Sequence, residues 1–278
     1  MRQDDRYVAL VLAADRTAND PVASKTGVAC KAFAPVGGKP MIIRVLDALA
    51  ASSTIKTTLL CGPPKALLPQ CPELMQRIEN GQVIWTENQD SPSRSAEHSL
   101  KQVDATARIL LTTADHALLT SKIIDHFLLA SRAMDCDATV GIVRHDMMLA
   151  AFPSSQRTVI RLRDGGFCGC NLFTFNHGGR ELVSFWQRAE AQRKHPWRLI
   201  SLALGWKTVI RYLIGSLTLT QALDAISAQT GIRVRSVFLP FPHAGIDVDK
   251  VDDLLLVESL LEKSALDSKN AQADTANE

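Results

Sequence analysis

No apolar run in the 278 residues reaches the roughly 18 to 20 that a membrane-spanning helix needs, so no transmembrane segment is expected. A charge excess of one sign is also missing. The 31 Lys and Arg nearly balance the 29 Asp and Glu, and a net charge of +2 is too small to imply a nucleic-acid partner. The chain opens with Arg2, Asp4, Asp5 and Arg6 directly before a short strand-like run, so no export signal is expected. The cysteines lack the spacing of a metal site or a disulfide framework. Cys30, Cys61, Cys71, Cys136, Cys168 and Cys170 are scattered, several within apolar runs, and Cys168-x-Cys170 has no second Cys or His pair nearby. Reduced thiols in a cytoplasmic protein follow. There is no internal repeat either, which excludes a solenoid. What remains is a composition of 46% hydrophobic and 22% charged residues, that of a folded globular chain long enough for one large α/β domain or two small ones.

Short aliphatic or β-branched runs alternate with longer segments of helical spacing, the pattern of a mostly parallel sheet with helices on both faces. Strands are predicted at 7–13, 57–61, 82–85, 108–113, 138–143, 158–162, 171–175 and 234–239. Helices are predicted at 40–50, 72–80, 95–104, 120–134 and 179–192, several opened by Pro, Ser or Thr at a first turn or cap. After Gly178 the pattern is mainly helical, through 197–204, 206–214 and 218–229, before one further strand and a last helix at 251–261. Residues 264–278 are rich in Ser, Asp, Asn, Gln and Ala without apolar anchors, and a disordered tail is expected there.

The first strand carries Val8, Leu10 and Leu12 among other apolar residues, as befits a central strand covered on both faces. Its end opens into Ala13-Ala14-Asp15-Arg16. A long polar loop with Lys25 and Gly27 follows, then Lys31-Ala-Phe-Ala-Pro35-Val36-Gly-Gly38-Lys-Pro40-Met41-Ile42. A long loop at the carboxyl end of a parallel strand is where open α/β sheets bind ligands.

Strand, small residues, Arg16 and then Lys31-x-x-x-Pro35-Val36-x-Gly38-x-Pro40 resemble the N-terminal motif of MobA-like NTP transferases and related nucleotidyltransferases of glycosyltransferase-A-like fold. The mainly helical pattern after Gly178 adds a helical insertion in the C-terminal half to the fold that the resemblance implies, a three-layer Rossmann-like α/β fold with a mostly parallel mixed sheet, of the nucleotide-diphospho-sugar transferase type. The resemblance implies residues 1–263 as the nucleotidyltransferase domain, with a nucleotide-binding half at 1–135. An acceptor-binding half at 136–263 would carry the insertion at about 179–230. In the family the small-residue loop wraps the triphosphate, and the Arg and Lys neutralise phosphate charge. This places Ala13, Ala14, Asp15, Arg16 and Lys31 in nucleotide binding, and Arg16 and Lys31 in catalysis. A cation beside the bridging oxygen stabilises charge that grows as pyrophosphate leaves. Where the family has a Gly-Gly pair this chain has Ala14-Asp15, a carboxylate that repels phosphates unless a cation intervenes.

Asp115 follows the predicted strand 108–113, similar in position to the family's Mg²⁺-binding Asp. Mg²⁺ is held by one or two carboxylates plus phosphate oxygens and water. The second is expected from Gly245-Ile-Asp247-Val-Asp249-Lys-Val-Asp252-Asp253, which resembles the family's closing motif. Asp249 matches best and Asp247 is the alternative, while Asp252 and Asp253 fit a helix's first turn.

Less specific are Ser95, in a segment similar to one that touches the nucleotide, and Asn171, similar in place to the Asn that faces the acceptor. His116 and His243 flank the acidic motifs. Basic residues between Arg188 and Arg211, interleaved with Trp and Leu, suit an anionic acceptor, a peripheral contact with a membrane surface, or a solvated helix face. Together these features imply a Mg²⁺-dependent transfer of an NMP from an NTP to a phosphorylated small molecule such as a pterin, sugar or polyol phosphate. A non-catalytic nucleotide-binding relative and a glycosyltransferase of the same fold are the alternatives, the latter having less use for Arg16 and Lys31.

Overall fold

The computed structural model describes residues 5–14, 19–153, 155–176, 178–191 and 196–275. The first half runs through β1 (Tyr7–Leu12), α1 (Pro21–Thr26), β2 (Pro35–Val36), β3 (Lys39–Pro40) and α2 (Met41–Ala50). It continues with β4 (Ile55–Cys61), α3 (Pro72–Glu79), β5 (Ile84–Thr86), α4 (Pro92–Leu100) and β6 (Ile109–Thr113). The second half comprises α5 (Ser121–Arg132), β7 (Ala138–Arg144), α6 (His145–Ala151), β8 (Ile160–Leu162) and β9 (Gly165–Phe175). It closes with α7 (Leu182–Ala191), α8 (Pro196–Leu213), α9 (Leu219–Thr230), β10 (Val234–Phe238) and α10 (Val251–Thr275).

The main sheet has the order β10-β7-β9-β6-β1-β4-β5, with β8 paired to β9. All pairings in it are parallel except those of β9 with β6, β7 and β8. β1 shows why the molecule has three layers. Tyr7, Ala9 and Val11 point into one apolar cluster with α2 and α5, whereas Val8 and Leu10 point into another with Ala96 and Leu100 of α4. Alternate side chains take opposite faces of a strand, so a continuous apolar run must be covered twice. Each of Val8, Leu10 and Val11 removed from water contributes about 1.5–3 kcal/mol.

From β1 the chain moves outward to β4 and β5, then crosses back to place β6 on the other side of β1. The carboxyl ends of β1 and β6 therefore border a crevice, since the loops leaving them diverge. Gly37 and Gly38, at φ 53° and 74°, form the two-residue turn between β2 and β3, a geometry that demands left-handed backbone at both positions.

Some segments depart from the sequence expectation. The polar loop after β1 contains α1, whose Asp20 side chain accepts from Val22 N–H at 2.8 Å and Ala23 N–H at 3.1 Å, and which ends on left-handed Gly27. A side-chain cap and a C-terminal glycine sustain this short helix without an apolar stripe. Strand β9 begins at Gly165 rather than Asn171, because its antiparallel ladder with β8 recruits the glycine-rich start. The last helix continues to Thr275, so helical backbone occupies 264–275 where a disordered tail is expected. Once a helix is nucleated, each added residue gains a hydrogen bond at little further cost, and the Ala, Lys, Gln and Ser here are adequate helix formers. Residues 276–278 lie outside the described residues.

Candidate active site

A cavity of about 1070 Å³ opens at the carboxyl ends of β1 and β6. Ala13, Ala14, Lys31, Asp115, Asn171 and Asp249 all line it, and so does Ser95. Asp15 and Arg16 lie outside the described residues.

Backbone bonds fix the floor. Ala13 N–H extends the β1 ladder to Cys61 O at 2.9 Å, and Ala114 N–H bonds Leu12 O at 2.9 Å, which brings Asp115 level with the β1 loop. Gly62, at φ 79°, backs this loop so closely that a Cβ there would stand 3.3 Å from Ala14. Only glycine suits both the conformation and the approach.

Lys31, in a tight turn before Phe33, extends its ammonium between the two carboxylates. Nζ donates to Asp115 Oδ2 at 2.7 Å and to Asp249 Oδ1 at 3.3 Å. Thr113 Oγ1 donates to the other Asp115 oxygen at 2.5 Å. Asp115 and Lys31 have side chains only 15% exposed, whereas Asp249 is 56% exposed at the cavity mouth. Burial alone would raise Asp115 and lower Lys31. Their mutual attraction, aided by Thr113, outweighs it, so Asp115 titrates below its ordinary value and Lys31 above. The site holds a full ion pair at neutral pH.

The closing segment reaches Asp115 through the backbone, with Val248 N–H bonding Asp115 O at 3.0 Å. This places Asp249 at the cavity and turns Asp247 away from it. Asp247 Oδ2 accepts from Asn171 Nδ2 at 2.8 Å, and its other oxygen pairs with Arg157. Arg157 also donates to Asp247 O at 3.0 Å and pairs with buried Asp253 at 3.4 Å. Asp253 in turn accepts from Asp249 N–H and Lys250 N–H at the start of α10. Of the two candidate acids, then, Asp249 faces Lys31 while Asp247 anchors the segment.

Asn171 sits where β9 bulges against β7, the register jumping from Phe173 opposite Val140 to Gly169 opposite Ile142. Its φ of 48° is left-handed, which asparagine tolerates better than other side-chain-bearing residues. Bulges re-aim side chains beside functional sites, and here the bulge sends Asn171 to the cavity wall.

Ser95 is buried, with its hydroxyl accepting Gln89 N–H at 2.9 Å, and so shapes the loop before α4. His116 is buried behind Asp115. Burial pushes it down to about 4, which leaves a neutral ring at pH 7. His243 is shifted down by burial too.

Helix α7 forms a further wall, on which the sequence reading named Arg188 for an anionic acceptor but missed Trp186 and Glu190. Trp186 and Arg188 line the cavity. Glu190 Oε2 accepts from Ser91 Oγ at 2.9 Å and from the Ser93 hydroxyl, pinning α7 over the N-terminus of α4. A carboxylate is favoured at that end of a helix dipole. Nothing local in the sequence pairs Glu190 with serines almost a hundred residues earlier.

The fold is that of a nucleotidyltransferase enzyme, with the cavity at its carboxyl edge. Residues 9–234 match the MobA-like NTP transferase domain, and the chain belongs to that family. It is 30% identical to a hypothetical transferase from Thermus thermophilus, covering 90% of this chain and 99% of that one, with a TM-score of 0.74. At 13% identity it shares its fold with a 4-diphosphocytidyl-2C-methyl-D-erythritol synthase from Anaerococcus prevotii, at a TM-score of 0.55 over 93% of this chain and 97% of that one. It likewise shares its fold with a CMP:2-keto-3-deoxy-manno-octonic acid synthetase complexed with CTP, also 13% identical, at a TM-score of 0.56 over 93% and 99%. No curated protein matches the sequence.

Proposed function

We propose that this chain transfers an NMP from an NTP to a phosphorylated small molecule, with Mg²⁺ held by Asp115 and Asp249. The observation that carries the reading is Lys31, whose ammonium bridges those two carboxylates at the mouth of the cavity. One cation already sits between two hard oxygen donors, and among the described residues no cluster of three or more His, Cys, Asp or Glu side chains could hold a metal alone. This donor set suits an ion that takes its remaining positions from phosphate oxygens and water. When bound, Mg²⁺ would supply charge neutralisation on the triphosphate.

In the reaction, an acceptor phosphate oxygen attacks the α-phosphorus in line. The bond to the β-phosphate oxygen breaks, and pyrophosphate leaves with the electron pair. Lys31 is fully charged at neutral pH and faces the growing negative charge. Ala13 and Ala14 give the phosphates a surface without bulky side chains, and Arg16 adds a second cation. Asn171 and the Trp186–Arg188 wall form the acceptor side. A phosphorylated acceptor suits the basic Arg188 on that wall.

The test is pyrophosphate release on incubation with each common NTP, Mg²⁺ and a panel of sugar, polyol and pterin phosphates. Release that requires one NTP and one acceptor together is the expected result. A thermal shift with an NTP but no pyrophosphate from any acceptor would overturn transfer and leave a nucleotide-binding relative.

A further inference from the structure

The last part of helix α8 shows apolar side chains to solvent. Gly205, at φ 72° and ψ 156°, breaks the helix, and the turn beyond it exposes Trp206 by 66%, Ile210 by 48%, Leu213 by 64% and Ile214 by 70%. These positions follow the i, i+4, i+7, i+8 spacing of one helical stripe. Tyr212 is exposed beside them. Five of the eleven exposed large hydrophobics among the described residues thus fall within nine consecutive positions, a concentration that marks a contact surface rather than scattered surface residues.

Charge identifies what the surface meets. Between Glu190 and Asp224 the sequence has no Asp or Glu, yet it holds Arg193, Lys194, Arg198, Lys207 and Arg211. On the exposed turn Lys207 and Arg211 flank the stripe, with Lys207 Nζ 5.9 Å from the Trp206 ring centroid. A symmetric pairing of two copies through this face would bring like charges together without a carboxylate to pair them. Nucleic acid would satisfy the cations but not the Leu and Ile. Exposed Trp and Tyr, aliphatic side chains and flanking Lys and Arg suit the interface of an anionic bilayer, where apolar groups enter the acyl boundary and cations stay at the headgroups.

We infer that the exposed face from Trp206 in α8 to Ile214 just past its end docks the protein on membranes rich in anionic lipid. This peripheral contact is separate from the nucleotidyl-transfer site and does not depend on its chemistry.

The test is co-sedimentation of the full chain with vesicles of phosphatidylcholine alone or phosphatidylcholine with phosphatidylserine, at low and high salt. Binding is expected to require phosphatidylserine and to weaken with salt. Lys207→Gln and Arg211→Gln should each lower the partition coefficient roughly fivefold. Trp206→Ala and Ile214→Ser should lower it further. Thermal midpoints equal to the parent's establish that the variants are folded, and if an apolar variant unfolds, the two charge variants decide the question. Equal recovery with and without phosphatidylserine, or partition unchanged in the charge variants, overturns the inference. So does a lipid-free dimer, seen by light scattering, that Ile214→Ser dissociates, since the face would then join two copies.

Discussion

Lys31 and Asp115 stand 84 positions apart in the chain and meet at 2.7 Å, both largely shielded from water. Neither is stable there alone. A buried carboxylate without its cation bears a desolvation cost that its hydrogen bonds only partly offset. The pair therefore ties the loop after β1 to the end of β6 and sets the charge pattern of the cavity.

Replacing Asp115 with Asn removes half of the proposed Mg²⁺ site while keeping the shape of the side chain. Pyrophosphate release should fall by more than roughly a hundredfold, beyond the 10–100-fold typical of groups that only support a metal ligand. Circular dichroism should stay unchanged. Activity at the parent's level would remove Asp115 from the chemistry.

Lys31→Ala should lower kcat on the order of 100- to 1000-fold, the scale for losing one group that faces developing charge, with a smaller change in KM for the NTP. It also leaves Asp115 with only Thr113. Added Mg²⁺ should then raise the thermal midpoint of the variant more than that of the parent. A midpoint insensitive to Mg²⁺ would count against a metal at these carboxylates.

Asn171 is tested by two substitutions with different expectations. Asn171→Ala keeps a Cβ in the left-handed conformation and should destabilise the fold by about 1–2 kcal/mol. Asn171→Gly relieves the backbone and loses only the bond to Asp247, which Arg157 still holds. Urea denaturation should rank glycine above alanine. The reverse ranking would show that the conformation is not the reason for asparagine.

Asp125 of α5 accepts from Ser52 Oγ at 2.6 Å, Thr54 Oγ1 at 2.8 Å and Thr54 N–H at 3.3 Å, joining α5 to the turn before β4. Partial burial would raise its pKa, but these donors hold it below the ordinary value. Because the folded-state pKa lies below the unfolded one, near 3.9, the stabilisation is present above that pH and is lost as pH falls through the folded value. Asp125→Asn should therefore cost about 1–3 kcal/mol at neutral pH. The gap to the parent should close on acidification, and a gap independent of pH would show that the carboxylate's charge is not responsible.

Much of the fold is legible from local pattern. The continuous apolar run of β1 announces a central strand, the Pro35 to Pro40 segment carries the glycine turn, and Thr120 caps α5 by accepting Ile123 N–H as its position suggests. These features depend on backbone preferences within a few residues. The cap at Asp20 and the glycine at 27 are equally local signals, yet the segment was expected as a loop and α1 was missed.

The sequence by itself thus determined the alternation of strands and helices, the loop where a ligand would sit, and the acids and lysine able to serve it. The sequence ranked Asp249 ahead of Asp247, and the tertiary structure decided which of the two faces Lys31. Asp247 and Asp249 are two residues apart and alike in chemistry, and the choice falls to Val248 bonding Asp115, and to Asn171 and Arg157 drawing Asp247 aside. The same holds for Glu190 over α4 and for the outward stripe of α8. Such pairings depend on the packing of elements distant in the chain, which periodicity and propensity do not encode.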